Sequence, residues 1–174
     1  MKYHRMAAWG VLSVVCMSLS ACTEESKSFT VPHGLRKIHV EIFVNQTFEI
    51  GIEDLVTHKT IEVLLKDAQV AVVEKVEADA ILLGKIQKYV REPIAFDQNN
   101  VATLYRIYMV MQAELVSPRS EERFWVEPVI DHQTTYSTVA PPIETEAMAK
   151  ERLAGLLAND MLTRVTQGWI NLKK

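Results

Sequence analysis

Leu35-Arg36-Lys37-Ile38-His39-Val40-Glu41-Ile42-Phe43-Val44 is the stretch on which the fold turns. Ile38, Val40, Ile42 and Val44 alternate with Lys37, His39, Glu41 and Phe43. A period of two, rich in β-branched side chains, predicts a strand with one buried face. Asn45-Gln46-Thr47 breaks the run. Ile52, Leu55, Val56, Val63 and Leu64 then mark the stripe of a helix over about 50–66. Gln69-Val70-Ala71-Val72-Val73 reads as a short buried strand. Strand, helix and strand in this spacing make a βαβ unit, whose two strands run parallel.

The rest of the chain extends the sheet. Ala80–Val90 reads as a third strand, with a loop expected from Glu92-Pro93 to Asn100. A long fourth strand follows over about 101–115 and carries apolar groups on both faces. Its second face is therefore either buried or open to a partner. Ser117-Pro118-Arg119-Ser120 is a turn. A fifth strand over about 123–136 contains Pro128, which confines that residue to an edge or a bulge. Ala149, Leu153, Leu156, Leu157, Met161 and Val165 then recur at helical spacing over about 144–167, with Glu144 and Glu146 in the first turn, where the helix dipole favours acids. Gly168-Trp169 ends that helix. The expected fold is α+β: a two-layer sandwich in β-α-β-β-β-α order, with a mixed sheet of four to five strands covered by two helices.

The first 21 residues read as a signal peptide. Lys2 and Arg5 precede an apolar run from Met6 to about Met17, too short to cross a bilayer as a finished helix. The run closes on Leu19-Ser20-Ala21-Cys22, which resembles the bacterial lipobox. In that motif the cysteine is acylated and becomes the new N-terminus. One acyl chain binds a membrane marginally, and several anchor it stably. Thr23, rather than Asp, follows the cysteine, which favours outer-membrane sorting. Residues 22–34 are polar and read as an acylated tether, and 35–174 as the folded domain. With Cys16 removed and Cys22 acylated, the mature domain keeps no thiol, so its stability rests on its core. Maturation leaves 17 basic against 22 acidic residues, a net charge of −5. An acidic domain is a poor match for nucleic acid.

Catalytic motifs are scarce. There is no Gly-x-Ser-x-Gly elbow, and the six glycines form no phosphate-binding loop. His33, His39, His58 and His132 lack zinc spacing. Asp54, His58 and Glu62 share one face of the first helix at i, i+4 and i+8. They could hold a metal or form an acid–base relay, or they could be the solvated side of an amphipathic helix, which is the favoured reading. Met109, Met111, Tyr105 and Tyr108 could line a lipid groove; core packing is the favoured reading there too. The expectation is a non-enzymatic protein without metal or cofactor.

An ordered set of motifs then resembles a known family. The stretch Gly34–Glu53, with Phe43-Val44-Asn45-Gln46-Thr47-Phe48-Glu49-Ile50-Gly51-Ile52-Glu53 at its end, is similar to the opening of the LPS-assembly lipoproteins, LptE. Ala78-Asp79-Ala80-Ile81-Leu82-Leu83-Gly84-Lys85-Ile86, then Arg91-Glu92-Pro93-Ile94-Ala95-Phe96-Asp97 with Tyr105-Arg106, follow in the family's order. The resemblance covers about 32–170. It departs after the acylated cysteine, where Thr23-Glu24-Glu25 replaces the usual Gly-aromatic-His. It implies an outer-membrane lipoprotein on the periplasmic side, acting as plug and assembly partner of an LptD-type β-barrel in LPS transport to the surface. LPS itself is a second candidate partner. Some members carry basic residues in two loops implicated in LPS contact, where this chain has Asp97 and Pro141, Pro142 and Glu144. Phe48, Arg91, Phe96 and Arg106 stand in the matching motifs and are the expected partner-binding residues. The alternative is a lipoprotein adaptor of another envelope transport system.

Overall fold

The computed structural model describes residues 35–120 and 122–167. The expected signal peptide, Cys22, the tether and Gly168-Trp169 lie outside the described residues. In chain order the elements are β1 (Lys37–Val40), β2 (Val44–Asn45), α1 (Ile52–Leu65), β3 (Ala71–Val72), β4 (Ala80–Phe96), β5 (Ala102–Val116), β6 (Arg123–Ser137) and α2 (Glu146–Gln167).

The βαβ unit forms as expected: β1 and β3 pair in parallel, Lys37 opposite Ala71 and Ile38 opposite Val72. β1 also runs parallel to β4, which pairs antiparallel with β5, and β5 with β6. The sheet order is β3-β1-β4-β5-β6, with β2 pairing β4 beyond β1. Among the described residues the sheet is mixed and has six strands, one more than expected, because the first predicted strand divides in two. The division has a local cause. Val40 lies opposite Leu82 and Val44 opposite Lys85, so the β1–β2 side spends one residue more than β4. An extra residue inverts the alternation. Phe43 turns inward and is 2% exposed, whereas Ile42 and Val44, expected inside, are 66% and 55% exposed.

Both helices pack on one face of the sheet. Ile38, Val40, Phe43, Leu82, Ile86, Ile107, Leu115 and Ile130 meet Ile52, Val56 and Leu64 of α1 and Ala149, Leu153, Leu157, Met161 and Val165 of α2. Met109 and Met111 are fully buried in this core and line no groove. Leu157 is buried and Leu156 is 39% exposed, which sets the register of α2. Thr57 and Thr60 are buried too. Their hydroxyls donate to the Glu53 and Val56 carbonyls, and Thr57 Oγ1 accepts the Phe43 amide at 3.0 Å. Buried hydroxyls satisfied this way are compatible with a core.

Two prolines sit inside strands. The loop expected at Glu92-Pro93 is instead strand, because β4 has lost its β2 neighbour by that point and an edge tolerates a missing N–H. The turn begins later, where Asp97 Oδ1 accepts the Asn99 and Val101 amides at 2.8 and 2.9 Å. Pro128 lies both on the outer strand β6 and in a register shift, since Met111 faces Ile130 while Ala113 faces Glu127. Further along that edge Arg152 donates to the Thr135 carbonyl at 2.7 Å, which covers part of an otherwise open strand.

Candidate functional site

The densest polar arrangement lies where the first turn of α2 meets β4, β5 and β6. Tyr105 and Tyr136, opposite one another on β5 and β6, stack with ring centroids 5.3 Å apart. The Arg91 guanidinium lies 3.9 Å from the Tyr105 centroid. Arg91 Nε donates to Tyr136 Oη at 2.7 Å and sits 2.9 Å from Glu146. Tyr89 Oη donates to the same carboxylate at 3.0 Å, and Lys150 bridges Glu146 and Glu49. A cation against stacked rings and between carboxylates is well supported electrostatically. This cluster ties α2 to three strands and to the loop before α1.

The titration behaviour follows from these contacts. Burial raises the Tyr89 phenol, and the Glu146 charge raises it further, so Tyr89 stays a neutral donor. Burial alone would raise the Glu146 carboxyl, but Lys150, Tyr89 and Arg91 outweigh it and hold it below the ordinary value. The hydrogen bond from Arg91 to Tyr136 strengthens that guanidinium's hold on its proton.

The four expected partner-binding residues do not form one patch. Arg91 belongs to the cluster just described, on the helix side of the sheet. Arg106 lies on the open side, 3.2 Å from Glu92. Phe48 projects from the β2–α1 loop, fully exposed, and Phe96 stands half-exposed before the β4–β5 turn. Tyr89, Tyr136, Glu146, Lys150 and Glu49 complete the cluster and were not singled out as site residues. They come from β4, β6, α2 and the β2–α1 loop, so no spacing along the chain announces them as a set.

The Asp54, His58 and Glu62 face is solvated. His58 Nδ1 lies 2.7 Å from the Asp54 carbonyl, and Glu62 pairs with Lys59 and Lys66 at 3.1 and 2.7 Å. Among the described residues no group of three or more His, Cys, Asp or Glu is placed to hold a metal ion. On the open face, a cavity of about 160 Å³ is walled by Ile42, Val44, Leu83, Lys85, Gln112 and Glu114. Among the described residues no helix is long and apolar enough to cross a membrane.

The lipopolysaccharide-assembly family model, LptE, matches residues 35–167. No curated protein matches the sequence. Among solved structures the fold is similar to that of a DUF330 protein from Xanthomonas campestris, with 9% identity, TM-score 0.59, and 80% of this chain and 89% of that one covered. It is also similar to uncharacterized lipoprotein B from Nitrosomonas europaea, with 11% identity, TM-score 0.53 and coverages of 79% and 85%. The PelC dodecamer subunit from Paraburkholderia phytofirmans gives 11% identity, TM-score 0.52 and coverages of 79% and 92%. At such identities the likeness concerns the fold alone.

Proposed function

This chain belongs to the lipopolysaccharide-assembly family LptE, and we propose that it is a lipid-anchored outer-membrane protein that serves as plug and assembly partner of an LptD-type β-barrel. The observation that carries this reading is the family match over residues 35–167, joined to the lipobox-like Leu19-Ser20-Ala21-Cys22 ahead of it. Acylation at Cys22 holds the domain on the periplasmic side of the outer membrane. Its work is occupancy and assembly rather than catalysis, and it needs no metal or cofactor.

The physical chemistry suits that role. A barrel lumen is polar, so its occupant needs a charged and aromatic surface on a rigid body. The Arg91–Tyr105–Tyr136–Glu146 cluster supplies rigidity at one end of the sheet. Phe48 and Phe96 supply exposed aromatic anchors, and Arg106 a cation on the open face. Arg91 acts by holding its end of the sheet in shape. The test is depletion of the protein, complemented by variants, with surface LPS and barrel abundance measured. Loss of both on depletion, with rescue by a variant lacking Asp54, His58 and Glu62, supports the reading. Unchanged LPS and barrel levels on depletion overturn it.

A further inference from the structure

β4 is longer than the strands that flank it on one side. β1 pairs with Ala80–Leu82 and β2 with Lys85-Ile86. The last backbone bond on that side runs from the Gln46 amide to the Ile86 carbonyl, at 2.9 Å. From Gln87 to Phe96, β4 pairs only with β5 among the described residues, so its other edge stands open until Pro93 interrupts the row of donors. An open strand edge is a row of unpaired donors and acceptors that fits another extended backbone.

Beside this edge the chain leaves room for a strand. The β2–α1 loop stands away from β4 and encloses a hollow of about 300 Å³, with Thr47, Phe48 and Glu49 on one wall and Gln87, Lys88 and Tyr89 on the other. The loop is firmly built. Asn45 Nδ2 donates to the Glu49 carbonyl at 2.8 Å and to Glu53 at 2.7 Å, while its Oδ1 accepts the Thr47 amide at 2.8 Å. Lys150 clamps Glu49 from α2. Yet this fixed loop holds Phe48 at 104% and Ile50 at 95% exposure. Lys88, on the facing wall, has no carboxylate within ion-pair distance among the described residues; its ammonium lies 5.7 Å over the Tyr108 ring.

We propose that the free edge of β4 from Lys88 to Glu92 receives an extended segment of another polypeptide, which adds a strand to the sheet where β2 stops. Backbone pairing supplies the fit. Phe48 and Ile50 take an apolar side chain of the incoming segment, and Lys88 takes an acidic one. Continuity with the β2–β4 pairing and the charge of Lys88 select a strand of alternating apolar and acidic residues over a lipid. The slot is defined by backbone geometry, so it stands whether or not that polypeptide is a barrel.

Two measurements test this on the acylated protein. Amide hydrogen exchange of Lys88–Glu92 is compared between isolated outer membranes and the protein purified in detergent free of other polypeptides. A photoreactive benzoylphenylalanine at position 48 is activated in the same membranes, and the cross-linked peptide is identified. The expected result is exchange slowed about tenfold at Tyr89 and Arg91 in membranes, with a position-48 adduct to a segment of a different polypeptide in which apolar and acidic residues alternate. Equal exchange in the two states overturns the proposal. So does an adduct to lipid, to this chain itself or a second copy of it, or to a segment without that alternation.

Discussion

Gly84→Ala tests the packing that splits the first strand. A methyl built on Gly84 would lie 2.6 Å from two atoms of the Phe43 ring and 2.8 Å from a third. Carbon atoms in contact prefer about 3.5–4.0 Å, so the ring would have to withdraw by about 1 Å. It has little room, because Phe43 is 2% exposed and belongs to the central core. Overpacking of this kind costs about 1–3 kcal/mol. For a domain of this size each kcal/mol lowers Tm by roughly 2–4 °C. Gly155→Ala provides the opposite control, since a methyl there meets nothing within 4 Å and the residue sits inside α2. That change should stabilise by about 0.5–1 kcal/mol. The assay is thermal and denaturant unfolding of both variants and of Gly84→Ala combined with Phe43→Leu. The smaller side chain should relieve the clash, so the double variant should lose about 1 kcal/mol less than the sum of the singles. Gly84→Ala as stable as wild type, or strict additivity with Phe43→Leu, would refute the account of why β1 and β2 divide.

Leu157→Ala should cost about 2–5 kcal/mol and Leu156→Ala well under half of that, read as midpoint shifts in denaturant. Glu146 carries a lowered folded-state pKa, so its contribution is present above the ordinary 4.5 and is lost as pH falls through the lower folded value. Glu146→Gln should therefore be less stable than wild type at neutral pH, by under about 1 kcal/mol for this partly exposed group, with the gap closing in acid. A gap that widens in acid would reverse the sign of that linkage. Cys22→Ser should leave the outer-membrane fraction; if it sediments there like wild type, the lipid anchor is wrong.

The sequence carried the layers of the fold further than their details. Strand periodicity located β1, β4, β5 and β6, and the Leu153–Leu157–Met161 spacing located α2. Two features escaped. The face inversion at Phe43 depends on an extra residue relative to β4 and on the absence of a side chain at Gly84, a relation between strands that alternation within one strand does not encode. Thr57 and Thr60 look like the polar side of α1, yet their hydroxyls bond back to the helix and let them pack inward. The site was legible in pieces. Arg91, Tyr105 and Phe48 stand in recognisable motifs, but the stacking of Tyr105 on Tyr136 and the reach of Glu146 to Arg91 follow from cross-strand register and the docking angle of α2. Lys150, on what reads as a polar stretch of α2, is drawn into that network by Glu49 and Glu146.

Affinity isolation of the protein from solubilised outer membranes tests its partnership with an outer-membrane barrel. An LptD-type barrel should come down with it and stay bound through washing at high salt, because a plug is held by enclosure and packing more than by exposed charge. Recovery of the protein alone, or with the components of a different envelope transport system, would contradict it.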